Sequence, residues 1–254
     1  MASAAPAPAA PEEPANLYEM DTDAQKAAPN STMARVLGSM YVRACVRSDV
    51  PPFGSFSSQH SLEGLDIELA NELVRQMSID FKQVFKVEWA VVDAADRMDR
   101  LKNGACDILV ANFSQTAERA KEVDMSKIYL RTDKVLVAAN AITRKSPVVG
   151  HVGGTTGDMG GIKGTAKMFH SYQQVVYDMD AGGVDYVITD RPIAEYLVRS
   201  STKGFKITKT LAKNAEAYTV AVAKGDGTLL AAVNRALEEL ARQGRLALMQ
   251  RRWL

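Results

Sequence analysis

Apolar positions begin to recur near Val36, and their spacing changes along the chain. VRACV (42–46) is a short apolar run of strand type, and PPFGSF (51–56) is a turn-rich loop. In GLDIELANELVRQM, Leu65, Leu69, Leu73 and Met77 recur every four residues with Ala70 and Val74 beside them, which predicts an amphipathic helix. Asp66 and Glu68 fall in its first turn, where the helix dipole favours negative charge. FKVEWAVV (85–92) predicts a strand. Asp93 is placed to cap a helix through Met98 and Leu101 that stops at Gly104. DILVANF (107–113) then suits a buried parallel strand. This alternation predicts an α/β fold. Near the end, Leu230, Val233, Leu237 and Leu240 form a helix stripe that stops at Gly244. LALMQRRW predicts a second short helix, with Trp253 a packing anchor.

The second half echoes the first. LKNGACDILVAN (101–112) and MDAGGVDYVITD (179–190) share an order of apolar helix residue, glycine, aspartate, apolar strand and polar residue. Gly104 and Gly182 would end helices, Asp107 and Asp185 would begin strands, and Asn112 and Asp190 would stand at corresponding strand ends. Any helix–glycine–strand junction can look similar. If the echo is structural, two α/β lobes face each other, and ligands bind at such strand ends.

NFSQTAER (112–119) follows the first of those strands. Ser114 and Thr116 can cap a short helix whose N–H groups attract an anion, and Arg119 adds a planar fork that matches a carboxylate. An ordinary capped helix with a surface arginine fits the octapeptide too. HVGGTTGDMGG (151–161) offers a second cradle through its glycines and Thr155–Thr156, without the spacing of a nucleotide P-loop; a flexible loop reads the same way. Asp190 could accept from an ammonium. A carboxylate clamp and an ammonium acceptor together describe a receptor for a free amino acid.

Composition narrows the classes. The chain has 254 residues, 46% hydrophobic and 24% charged, with a formal charge of +1, so no overall field draws it to nucleic acid. No stretch approaches the roughly 20 apolar residues that span a bilayer. Cys45 and Cys106, the two cysteines, give no disulfide framework or thiolate zinc set. They read as two buried thiols on neighbouring strands, with one bridge as the alternative. Residues 1–34 are Ala/Pro-rich and predict an extended tail or tether, without the basic start and apolar core of an export signal. From these residues alone, the signal has been removed or the protein is cytosolic.

The chain resembles the bacterial extracellular solute-binding proteins of family 3, the periplasmic amino-acid-binding proteins of ABC transporters. The resemblance runs from about Val42 to Trp253. It rests on PPF, GLDIELANEL, RMDRLKNGACDILVANFSQTAER, VDMSKIY, GTT, GGVDYVITD and RQGRLALMQRRW in that order. It implies a two-lobed type II periplasmic-binding-protein fold. Lobe 1 would hold residues 35–130 and 221–254, and lobe 2 residues 131–220. Hinge segments would lie near 129–133 and 217–221. It further implies that Arg119 takes the ligand α-carboxylate with Ser114 and the Thr155–Thr156 backbone, and Asn112 is counted among the ligand-binding residues. Asp190 would take the α-ammonium, and Phe53 and Phe56 would border the cleft. Members that bind cationic amino acids resemble one another in an acidic residue just past the first strand, where this chain has Arg47. Members that bind aspartate or glutamate resemble it there and at Arg97, which implies an acidic ligand. Two solvated surface arginines are the alternative.

The resemblance also implies a periplasmic or extracellular monomer that delivers its ligand to an ABC permease, without cofactor, metal, nucleic acid or catalysis. A dehydratase acting on a prephenate-like acid and a ligand-sensing domain share the fold and stay open as alternatives. The chain departs from the family in a short link before HVGGTT, in Met125 where phenylalanine is usual, and in the glycines after GTT. These departures leave the second cradle less secure than Arg119.

Overall fold

The structure, a computed structural model, describes residues 31–139, 142, 144–157 and 162–254. In chain order the elements are α1 (Thr32–Ser39), β1 (Tyr41–Val46), β2 (Asp49–Val50), β3 (Gly54–Phe56), β4 (Leu62–Glu63), α2 (Leu65–Asp80), β5 (Lys86–Val91), α3 (Arg97–Lys102), β6 (Ile108–Ser114) and α4 (Ala117–Glu122). The chain continues through β7 (Val123–Ala138), β8 (Val148–Val152), β9 (Thr165–Phe169), α5 (Tyr172–Asp180), β10 (Tyr186–Asp190), α6 (Arg191–Ser200), β11 (Lys206–Ala223), α7 (Gly227–Arg242) and α8 (Arg245–Trp253).

Eight strands form one sheet in the order β5-β1-β6-β11-β7-β10-β8-β9. β1 runs parallel to β5 and β6, and β8 runs parallel to β10 and β9. The long strands β7 and β11 pair antiparallel between the two sets. β11 meets β6 through Tyr218–Val222, near its end, while β7 meets β10 through Lys134–Ala138, also near its end. Each half of the sheet is therefore a parallel trio joined to the other through two shared strands, which is the two-lobed α/β architecture.

The internal echo is structural. Gly104 and Gly182 both have φ of 73°, the left-handed turn that glycine adopts without strain. Asp107 and Asp185 then make matching contacts. The Asp107 carboxylate accepts the Arg43 N–H at 2.6 Å and pairs with Arg43 and Arg35. Asp185 accepts the Val148 N–H at 2.7 Å and pairs with Arg144. Each aspartate so ties the start of one strand to its parallel neighbour.

α2 buries Leu65, Leu69, Leu73 and Met77 completely, about 2 kcal/mol for each side chain removed from water. Three expectations are corrected. Folded structure begins before Val36: Ser31 caps α1, which buries Met33, so residues 31–34 belong to a helix and not to the tail. The rest of that predicted tail, 1–30, lies outside the described residues, as do 158–161 of the glycine-rich stretch. Asp93 does not cap α3; its N–H donates to Asp96, and the helix starts at Arg97. The cysteines are not free thiols: β1 and the start of β6 lie side by side, and Cys45 and Cys106 form a disulfide across a Cα separation of 5.6 Å. Trp253 does anchor α8, packing on the core while its indole N–H donates to Glu68 at 2.6 Å.

Candidate functional site

Of the predicted residues, Asn112 and Ser114 lie on β6, Asp190 ends β10, Arg119 lies in α4 and Arg97 in α3, Arg47 follows β1, Phe53 precedes β3, and Thr155 and Thr156 follow β8. Strand β6 is buried along its whole length and carries Asn112 and Ser114. Asn112 has φ of 39°, and the β6–β11 register shifts beside it, so this is a bulge. Its N–H donates to Asp66 at 2.6 Å, and Tyr129 O–H donates to the other oxygen of that carboxylate at 2.7 Å. Burial raises the Asp66 carboxyl to about 6, against the lowering effect of these bonds. Asp66 is thus a buried brace, more than the dipole complement its place in α2 suggests.

Thr116 caps α4, accepting the Arg119 N–H at 3.2 Å. Ser114 does not cap it; it ends β6, buried, opposite Tyr218 of β11. The Arg119 guanidinium donates to the Ser114 carbonyl at 2.8 Å and to the Gly154 carbonyl at 3.0 Å. Arg97 donates to the same Gly154 carbonyl at 3.2 Å, and to the carbonyls of Ala111 and Asn112. Both guanidinium groups stand over the Phe113 ring, at 4.4 Å for Arg119 and 5.1 Å for Arg97. Two arginines of the first half therefore converge on one carbonyl of the second.

Burial, with Arg119 and Arg47 nearby, lowers Arg97 to about 9. Arg119 is also lowered by burial, while Glu216 and Asp190 act to hold its charge. Arg47 is 1% exposed and forms a two-pronged pair with Asp49, both distances 2.8 Å. Neither Arg47 nor Arg97 is a solvated surface arginine. Each keeps one buried donor, Arg47 Nη1 and Arg97 Nε, without a partner among the described residues, and Asn112 Oδ1 is likewise unpaired.

Asp190 ends β10 and accepts from the Tyr218 hydroxyl. Burial and then Glu216 raise its carboxyl to about 6, while Tyr218, Lys134 and Arg97 pull the other way. Phe53 is fully buried and meets the Tyr218 ring edge-on at 5.2 Å, so it backs the residue that holds Asp190. Phe56 is 55% exposed. Tyr172, at the start of α5, accepts from Thr189 at 2.7 Å and lies within the fields of Asp190, Arg47 and Arg97.

The Thr155–Thr156 stretch forms no helix start among the described residues. The Thr155 N–H and hydroxyl both turn to the Val152 carbonyl, at 3.4 and 2.6 Å. Thr156 accepts Lys134 Nζ through its carbonyl at 2.6 Å and its hydroxyl at 3.0 Å. Lys134 also pairs with Glu216 at 2.7 Å.

Lys134, Glu216, Tyr218, Asp66 and Tyr172 are participants that sequence reasoning missed. A signal existed for two of them: Glu216 and Tyr218 share one face of β11 by their two-residue spacing.

The chain has relatives in both sequence and fold. The probable histidine-binding protein of Neisseria gonorrhoeae is 27% identical over 221 residues, covering 82% of this chain and 80% of its own length. The glutamine-binding protein GlnH of the Bacillus subtilis ABC transporter is 26% identical, covering 91% and 88%. A solved ancestral arginine-binding protein bound to arginine superposes with a TM-score of 0.76 at 27% identity, covering 84% of this chain and 98% of that one. The model of the family matches residues 42–254, and the chain belongs to the bacterial extracellular solute-binding proteins, family 3.

Proposed function

We propose that the chain captures a free acidic amino acid, glutamate or aspartate, between its lobes and delivers it to an ABC permease. The lobes would be residues 35–130 with 221–254, and 131–220, turning about 129–133 and 217–221. Arg119 would exchange the Gly154 carbonyl for the ligand α-carboxylate, with Ser114, Asn112, Thr155 and Thr156 alongside. Asp190, steadied by Tyr218 over Phe53, would take the α-ammonium.

One observation carries the acidic preference. Arg47 Nη1 and Arg97 Nε are buried cationic donors without an acceptor among the described residues, and a side-chain carboxylate supplies acceptors of the right charge. A cationic side chain would meet two guanidinium groups instead. The Cys45–Cys106 disulfide supports a place outside the reducing cytosol, in the periplasm or beyond. The chain would act as a monomer without cofactor.

Thermal shift across the common amino acids tests this. Glutamate or aspartate at 100 times Kd should stabilise the fold by about 2.7 kcal/mol, and lysine should leave the midpoint unchanged. Arg47→Ala should weaken acidic ligands selectively. An equal loss for neutral ligands would remove the specificity assignment.

A further inference from the structure

Arg119 and Asp190 both feel a charge pair of the chain's own, Lys134 with Glu216. Lys134 and Asp190 are direct cross-strand partners of β7 and β10, so their side chains share one face. Glu216 lies on β11 two residues before Tyr218, on the face from which Tyr218 reaches Asp190. Lys134 Nζ and the Glu216 carboxylate meet at 2.7 Å, with side chains only 10% and 6% exposed. Such a pair, withdrawn from water, persists only when its remaining donors and acceptors are satisfied. Here Thr156 takes the remaining Lys134 donors, and Glu216 lies within reach of the Ser114 and Thr156 hydroxyls.

We propose that Lys134 and Glu216 form an intramolecular stand-in for the amino acid, which ligand must displace. The order of charges is that of the zwitterion: Glu216 serves the cation Arg119, and Lys134 the anion Asp190. Among the charges that hold Arg119 protonated, Glu216 comes first and Asp190 second. Lys134 is among the groups that lower Asp190, while Glu216, next after burial, raises it, so the pair serves Arg119 more than Asp190. The pair satisfies two charges withdrawn from water and sets a carboxylate where it favours the charged form of Arg119. The same pair lowers affinity, since ligand binds only the fraction of molecules in which it has parted. A pair formed 90–99% of the time would weaken apparent affinity about 10- to 100-fold.

This inference rests on the amino-acid-receptor reading, and one titration series separates the two. Calorimetry with glutamate, glutamine, histidine and arginine is run on the wild-type chain, on Glu216→Gln, and on Lys134→Met/Glu216→Gln. The double variant removes both charges together, so neither member of the pair is left without its partner. Whichever of the four amino acids binds the wild type should bind both variants about tenfold or more tightly. Binding that appears only in the variants would support the stand-in more strongly still. Unchanged or weaker binding in the double variant would overturn the stand-in alone and leave the receptor reading in place. No binding by any of the three proteins would overturn the receptor reading and the stand-in with it.

Discussion

A methyl group added to Gly154 would stand 2.3 Å from the carbonyl oxygen of Ala94. Ala94 follows β5 in the first half of the sheet, and Gly154 follows β8 in the second, so the two halves touch here backbone to backbone. Gly154 also has φ of 73°, and its carbonyl is the acceptor shared by Arg97 and Arg119. Gly154→Ala should therefore disfavour this contact between the halves through both crowding and left-handed strain of about 1–2 kcal/mol. Small-angle scattering should give a larger radius of gyration without ligand, and amino-acid affinity should fall about tenfold. An unchanged radius would mean that the contact does not limit closure.

Ligand affinity should depend on the ionisation of Asp190. Its carboxyl is raised to about 6 in the empty protein, and an ammonium favours the charged form. Affinity should hold above pH 6 and fall by about tenfold for each pH unit below it. Asp66 is also raised to about 6, but it is committed to Asn112 and Tyr129. Calorimetry on Asp190→Asn should show weak binding with little slope between pH 7 and 5.

Stability has the opposite sign for the same two groups. A carboxyl raised in the folded state favours folding below its unfolded value, and that contribution is lost as pH rises through about 6. Asp66→Asn should therefore flatten the pH dependence of the melting temperature between pH 4 and 7.

The paired aspartates of the internal echo predict matched effects. Asp107 and Asp185 each hold a neighbouring strand N–H and an arginine, with side chains 0% and 6% exposed. Replacing either with alanine leaves a part-buried strand N–H unpaired and frees arginines that are roughly a third exposed, and should cost about 2 kcal/mol. Asp107→Ala should cost somewhat more, because Arg35 and Arg43 both lose their partner. Chemical denaturation checks this. A loss under about 0.5 kcal/mol would assign the echo no structural role.

Reduction of Cys45–Cys106 should destabilise the first half of the sheet. The bridge closes a span of 61 residues, for which chain entropy gives about 4 kcal/mol. Denaturation midpoints with and without reductant should differ accordingly.

The elements of the fold were legible because their patterns are local: the four-residue spacing from Leu65 to Met77, the apolar run into β6, and the two helix-ending glycines. The position of Arg119 was legible too, since Thr116 marks the helix start before it. Legibility ends where side chains distant in sequence meet. Cys45 and Cys106 are 61 residues apart, and only the pairing of β1 with β6 makes them a bridge. Lys134 and Glu216 each look like a polar residue on a long strand until β7 and β11 cross. Arg47 and Arg97 looked equally suited to solvent, because burial depends on elements packed over them and not on their neighbours in sequence.

The central claim is that Arg119 and Asp190 hold the α-carboxylate and the α-ammonium of one acidic amino acid. Isothermal titration of glutamate into the wild-type chain and into Arg119→Ala at pH 7.5 tests it most directly. The account predicts saturable one-to-one binding by the wild type and a loss of at least about 100-fold in the variant, as expected when a buried charged pair is broken. Equal affinity in the two proteins would contradict it.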